Sequence, residues 1–369
     1  MNNGVRVDFL APKDPRWTNL LGKVTHDFYH RPRYVEMCAG MENGEAGAFH
    51  VVEGGNEFLL PIILRELPDY GSDWARGWRD ATSPYGYPGP LVLTERKGLD
   101  ATTSFADKAL GALCEATREW RILTTFVRFH PLLAAPREPF EAHGRLVMHG
   151  HTVSIDLTHS AEEIWAGIRR NHRTEILMLE RREDVRAEED RHWGHLPEFL
   201  AAYHATMERV HAGRSYYFDE AYFAALRAAL DNRVHLMLVW YGEQVAAGAV
   251  ATTCCGIVQY HLAATAPEFF KKRPQKLLCR ETWLWSQRSG ARVFHLGGGV
   301  GGREDGVFRF KSGFSDLRHP FYTWRACSER AVYERLVAQR FGKNGVPAVD
   351  TDFFPAYRQP ASEQNGANG

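Results

Sequence analysis

Apolar positions recur along the chain with two periods. Between Thr103 and Arg121 they return every three or four residues, with Phe105, Ala109, Leu113 and Ala116 on one side, which predicts an amphipathic helix starting at a Thr/Ser cap. Helical spacing also marks Trp17 to about Met37, Leu196–Val210, Asp219–Leu230, Leu277–Ser289 and Ser328–Gln339. Ser160, with Glu163 three residues on, forms a capping box for a long helix to about Glu183, buried through Trp165, Ile168, Ile176 and Leu179. Strand patterns occupy Ala46–Val52 and Phe58–Arg65, joined by the turn Glu53-Gly-Gly-Asn56. Others cover Thr124–Phe129, Arg145–Met148, Thr152–Leu157, Val234–Trp240, Gln244–Thr253 and Ile257–Thr265.

The densest candidate chemistry lies in Ala291–Phe314. A short apolar strand, Val293–Leu296, runs into Gly297–Gly302, where only Val300 carries a side chain. Glycines after a strand let backbone amides approach an anionic or carbonyl ligand closely. Phe308-Arg-Phe-Lys-Ser-Gly-Phe314 reads as a second strand, with Phe308 and Phe310 on one face and Arg309 and Lys311 on the other. Lys311 would then set a positive charge beside the glycines. Gly297, Gly299 and Gly302 satisfy G-x-G-x-x-G, but that dinucleotide fingerprint requires a helix from the last glycine, and strand periodicity there excludes it.

Composition narrows the rest. A length of 369 residues suits two domains, and 44% apolar residues can bury sizeable cores. Lys plus Arg and Asp plus Glu are equal at 45, which argues against wholesale nucleic-acid binding and leaves room for local basic patches. Arg169, Arg170 and Arg173 share one sector of the helix after Ser160, and Lys271, Lys272, Arg273 and Lys276 form a basic turn. Six cysteines without a C-x-x-C pair read as reduced thiols. His149 and His151 read as loop histidines lacking partners at metal-ligand spacing, so no metal is expected. Without a long apolar run or a signal pattern, the chain reads as soluble and cytoplasmic. Met1–Gly4 and Ala361–Gly369 read as loose ends.

The order helix, hairpin strands, loop, helix, strand occurs twice, which suggests two copies of one α/β (α+β) unit. That order is the one found in the GNAT, or N-acetyltransferase-like, fold. The expected boundaries are 1–148, 149–340 and a tail 341–369. Gly297–Gly299, Gly306 and Phe310-Lys311-Ser312-Gly313-Phe314, with Tyr260-His-Leu-Ala-Ala-Thr265 and Gly89-Pro90-Leu91, resemble the Fem-type (FemABX-like) aminoacyl-tRNA-dependent peptidyltransferases and related acyltransferases. The resemblance covers most of Phe28–Leu336 and implies tandem GNAT-like domains that transfer an aminoacyl group from tRNA to an amine of a small molecule or peptide. It implies that Lys311 stabilises charge at the reacting centre. Tyr260 and His261 are further catalytic candidates, and Gly297, Gly298, Gly299, Arg309, Phe310, Arg214, Tyr216, Tyr217, Tyr85 and Tyr87 are candidate substrate contacts. The two basic groups are candidate tRNA contacts.

No bound cofactor is expected. CoA-dependent GNAT proteins carry a Q/R-x-x-G-x-G/A loop at a helix N-terminus for the pyrophosphate. Phe269–Lys276, at the equivalent place, contains no glycine. An acyl-CoA or carrier-thioester donor remains the alternative, and a non-catalytic scaffold a third reading.

Overall fold

A computed structural model describes residues 4–69, 73–342 and 353–359. Met1–Asn3 and Ala361–Gly369, read above as parts of loose ends, lie outside the described residues. The chain forms two compact units, Met1–Met148 with Tyr322–Gly369, and His149–Phe321.

The first unit runs β1 (Arg6–Leu10), α1 (Pro15–Leu21), α2 (Pro32–Met41), β2 (Glu45–Glu53), β3 (Asn56–Glu66), β4 (Arg79–Thr82), β5 (Leu91–Leu93), α3 (Leu99–Glu119), β6 (Ile122–Arg128) and α4 (Glu138–Ala142). Where one helix was expected over Trp17–Met37, Asp14 caps α1 and Pro32 opens α2, because proline is tolerated in a first helical turn and not inside one. β1, β2, β3 and β4 pair antiparallel in that order, and β6 then adds parallel to β4. Phe49, Phe58, Leu60, Leu110 and Phe140 are fully buried between sheet and α3, each contributing about 1.5–3 kcal/mol.

The chain leaves this unit within β7 (Arg145–Asp156). Arg145–Met148 and Thr152–Leu157 are therefore one strand rather than two, and His149 and His151 lie in it rather than in a loop. Then come α5 (Ala161–Gly167), α6 (Arg170–Glu180), β8 (Val185–Glu189), α7 (Leu196–Arg209), α8 (Glu220–Leu230), β9 (Val234–Tyr241), β10 (Gln244–Cys254), β11 (Ile257–Thr265), α9 (Gln275–Arg288), β12 (Val293–Gly297) and α10 (Gly306–Lys311). β13 (Arg318–Cys327) and α11 (Arg330–Phe341) follow. β8, β9, β10 and β11 pair antiparallel, and β12 adds parallel to β11. That is the pairing scheme of the first unit again, so the repeat is one of topology as well as of element order.

α11 does not belong to the second unit, where residues up to 340 were expected. Tyr333, Leu336 and Val337 pack with Leu123, Ala356 and Tyr357 of the first unit. β13 pairs Thr323–Cys327 with β6. Part of the expected tail is thus core: Tyr357 is fully buried, its hydroxyl donating to Asp80 at 3.1 Å. Arg358 also pairs with Asp80, which Arg65 holds from the other side at 2.8 Å.

In the second unit α9 and the α7–α8 pair cover opposite faces of the sheet. His235 packs at a tilt against Trp285 of α9, whereas a side chain at Gly248, paired with Leu238, would strike Phe199 of α7. His235 and Leu238 differ by an odd number of residues and so point to opposite faces.

Candidate functional site

The helix expected from Ser160 to Glu183 begins at the predicted capping box, with Glu163 N donating to Ser160 Oγ at 3.2 Å. It breaks at Ile168, which is extended (φ −69°, ψ 135°), leaving the Arg169 amide to donate to Gly313 O at 2.8 Å. The break brings the head of α6 onto the end of Phe310-Lys-Ser-Gly-Phe314.

That motif is helix and turn, not strand. Asp305 accepts hydrogen bonds from Val307 N and Phe308 N, both at 2.9 Å, and nucleates α10 over Gly306–Lys311. The argument from strand periodicity against the dinucleotide fingerprint therefore falls. A six-residue helix is still not the long one the fingerprint requires. On α10 Phe308 is buried and Arg309 exposed, so Arg309 points away from the interior. The rings of Phe310 and Phe314 lie 5.7 Å and 4.8 Å from His172 of α6, whose Nε2 bonds to Phe310 O at 3.0 Å. A side chain at Gly313 would come within 2.3 Å of that Nε2. Each position of F-K-x-G-F except the variable one thus has a packing or charge duty. Burial holds His172 below the ordinary imidazole pKa.

Lys311 Nζ donates to Gly298 O at 2.6 Å. Burial pushes its pKa down to about 8, opposed by the nearby carboxylate of Asp305 and thiol of Cys279. The ammonium has three donors, and one is fixed by the carbonyl. The glycine loop is less open than expected. Asp305 Oδ2 takes the Val300 amide at 3.0 Å, and Gly302 N donates to Gly299 O at 3.1 Å. The inward carboxylate therefore engages loop amides that an oxyanion was expected to use. Gly299 has no room for a Cβ, which would meet Arg303 O at 2.0 Å, and Gly297 sits at φ 75°.

β11 and β12 pair only from Ile257/Val293 to Gln259/His295, although β11 continues to Thr265. The two strands part just before Gly297. Beyond that point Tyr260 turns toward α9: its hydroxyl donates to Gln275 Oε1 at 2.7 Å, and its ring meets Phe294 edge-on at 5.7 Å. Burial raises the phenol pKa well above its ordinary value, and the Cys279 thiol adds to the rise. Cys279 lies one turn after Gln275 on α9 and interacts with both Tyr260 and Lys311. The structure therefore gathers Lys311, Tyr260, Gln275 and Cys279 on one side of the parting strands.

His261 goes elsewhere. The β10–β11 register passes from Val250–Leu262 to Ala251–Tyr260, so His261 is the extra residue of a bulge. Its Nε2 meets Tyr222 OH of α8 at 3.0 Å, on the opposite face from Tyr260. Arg214, Tyr216 and Tyr217 are exposed near this face, where Tyr203 OH of α7 donates to Tyr216 O at 2.7 Å. Tyr85 and Tyr87 belong to the first unit. There Tyr85 O accepts from Tyr34 OH at 3.0 Å and Tyr87 packs edge-on against Tyr29.

The two basic groups meet. Glu175 of α6 pairs with Arg273 and, at 2.7 Å, with Lys276. Lys276 is buried in this pair and cannot reach a phosphate. Lys272 lies over the rings of Tyr241 and Phe269, and Lys271 is exposed. Arg169 and Arg170 are exposed and line a depression of about 420 Å³ with Asn171, Thr174 and Glu175, while Arg173 turns back to Ala166 O at 3.4 Å.

Comparison with known proteins fits this geometry. Residues 166–312, from α5 to the turn after Lys311, match the family described as acetyltransferase (GNAT) domain. The second unit is a GNAT-like domain. FemX is similar in structure, with a TM-score of 0.66 at 12% identity over 89% of this chain and 99% of FemX. A conserved protein of unknown function from Bacteroides thetaiotaomicron gives 0.53 at 10% identity over 86% of this chain and 99% of its own. The C-terminal domain of a putative lysylphosphatidylglycerol synthetase from Agrobacterium fabrum gives 0.50 at 13% identity, over 90% and 98%. No curated protein matches the chain in sequence. These likenesses show a shared fold, and the match of residues 166–312 agrees with the GNAT-like order that the repeat implied. Asp305, Gln275, Cys279, His172 and Tyr222 went unnoticed in the sequence. Only Asp305 had a local signal there, as an acidic cap before Gly-Val-Phe.

Proposed function

We propose that the chain is an acyltransferase that forms an amide, taking an aminoacyl group from aminoacyl-tRNA and giving it to an amine of a small molecule or peptide. The observation that carries this reading is the desolvated Lys311 ammonium, fixed on Gly298 O where β11 and β12 part. Attack on an ester carbonyl places negative charge on its oxygen, and a positioned cation in a dry site stabilises that charge strongly. An ester is already activated, so the protein has mainly to hold reactants in place. The Fem-type motif and the likeness to FemX support the tRNA donor, as does the head of α9. There Pro274 is the N-cap residue, Arg273 adopts the left-handed conformation and Lys276 is buried against Glu175, in place of a glycine loop for pyrophosphate.

An acyl-CoA donor is the second reading, favoured by the match of residues 166–312 to an acetyltransferase family. The two separate in one experiment. Retention of labelled aminoacyl-tRNA and calorimetry with acetyl- and longer acyl-CoA are run on wild type and Lys311→Ala. Retained tRNA without a CoA signal supports the first reading. Saturable CoA binding without tRNA retention replaces it with the second.

A further inference from the structure

The first turn of α6 grips the segment that carries Lys311 from two sides. Arg169 N donates to Gly313 O at 2.8 Å and His172 Nε2 bonds to Phe310 O at 3.0 Å, so the two bonds bracket the lysine. Outside this turn lies the depression of about 420 Å³ lined by Arg169, Arg170, Asn171, Thr174 and Glu175. Its charge is one-sided. Glu175, the only acid in the lining, is paired on both carboxylate oxygens, Oε1 with Arg273 and Oε2 with Lys276 at 2.7 Å. Neighbouring arginines are engaged as well: Arg173 with Ala166 O, Arg273 with Glu175 and Arg280 with Glu180. Arg169 and Arg170 differ from them. Both are exposed, and neither guanidinium has a hydrogen-bond or ion-pair partner among the described residues. At about 30 Å³ per water the depression has the volume of about 14 waters, more than one small anion fills.

We propose, resting on the aminoacyl-tRNA reading, that this depression holds phosphodiester groups of the donor RNA and that Arg169 and Arg170 are the contacts. A guanidinium presents a planar fork of N–H donors that matches two phosphate oxygens, and it stays charged at any working pH. Such contacts release the counterions condensed on the RNA, and a chain of net charge zero obtains that gain only where local cations stand unpaired. Glu175 does not cancel them, because Arg273 and Lys276 already neutralise it. Phosphate contacts carry no base information, so this pair grips every tRNA alike and fixes where its chain lies. The bonds to Gly313 O and Phe310 O make α6 and the Lys311 segment one hydrogen-bonded piece. An RNA chain docked on Arg169 and Arg170 is thereby positioned relative to the lysine that meets its ester carbonyl.

The test measures retention of labelled alanyl-tRNA between 50 and 200 mM salt. Each phosphate contact on a single strand contributes a slope of about −0.7 in log K against log salt. Arg169→Met with Arg170→Met should flatten the slope by about 1.4, so that wild type loses about sevenfold more affinity than the double variant across this range. At 50 mM salt the double variant should bind about 10-fold more weakly or worse, with KM for alanyl-tRNA raised and kcat unchanged. Arg169→Lys with Arg170→Lys keeps the charge and should keep the slope. Arg288→Met, an exposed arginine in the last turn of α9, should match wild type throughout. A double methionine variant with wild-type affinity and slope, at unchanged Tm, overturns the phosphate site and leaves the donor reading intact. If wild type retains no tRNA, the donor reading fails and the site with it. Saturable acyl-CoA binding that the same pair of substitutions weakens gives the depression to a CoA phosphate and overturns the RNA assignment.

Discussion

Gly313→Ala tests whether the F-K-x-G-F motif is built as described. A Cβ at this position would lie 2.3 Å from His172 Nε2 and 2.7 Å from Cδ2 and Cε1, where ordinary contact begins at 3.4 Å. The imidazole would have to retreat by about 1 Å, the difference between those distances. It sits between Phe310 and Phe314 and is bonded to Phe310 O at 3.0 Å, so retreat disturbs the packing of both rings and breaks the hydrogen bond. Overpacking costs about 1–3 kcal/mol and the lost bond about 1 kcal/mol, together about 2–4 kcal/mol. For a unit of this size that is a fall in Tm of roughly 5–15 °C, read by calorimetry or urea unfolding. Truncating the obstruction is the control. His172→Ala in the Gly313→Ala background should cost less than the sum of the single changes, with a coupling of about 1 kcal/mol or more. A Gly313→Ala protein as stable as wild type, or strictly additive losses, would refute the packing argument.

Other consequences follow from the same geometry. Lys311→Met should lower kcat about 100- to 1000-fold with little change in Tm, and a fully active variant would remove the lysine from the chemistry. Because burial holds the Lys311 pKa down to about 8, a rate that needs its ammonium should fall as pH rises through about 8. Asp305→Asn keeps a capping oxygen but removes the charge that raises that pKa, so the alkaline limb of kcat/KM should move to lower pH. Arg358→Met leaves the fully buried Asp80 to Arg65 and Tyr357 alone, and should destabilise the first unit by about 1–3 kcal/mol, visible as an earlier urea transition. Burial holds both His30 and His172 below the ordinary imidazole value of 6.5. The unfolded chain then binds protons that the folded chain refuses, so stability is complete above about pH 6.5 and is lost as pH falls below it. Replacing either histidine by glutamine should flatten that dependence in acid denaturation.

Local rules made much of this chain legible. The period of the apolar positions placed α3, α7, α8, α9 and the strands β2, β3, β9, β10 and β11 within a few residues, because each buries one continuous face. The capping box at Ser160 and the turn at Glu53–Asn56 are local hydrogen-bonding devices and needed no partner elsewhere. Glycines and a lysine spaced as in Gly297–Phe314 singled out a stretch that the structure closes on itself, Lys311 reaching Gly298 O and Asp305 the Val300 amide. What failed was decided at a distance. Short, charge-rich β1 and β8 exist only because β2 and β9 offer them an edge, and β13 because β6 does. Phe308–Phe314 alternates like a strand, and there the local Asp305 cap was overlooked; only the closing of its rings on His172, 138 residues earlier than Phe310, was decided at a distance. Tyr260 and His261 were both read as catalytic candidates, yet adjacent strand residues point to opposite faces, and their partners, Gln275 of α9 and Tyr222 of α8, come from distant parts of the sequence. α11 and Tyr357 return to the first unit because Leu123 and Asp80 await them there, a buried surface and a buried charge that no local pattern announces.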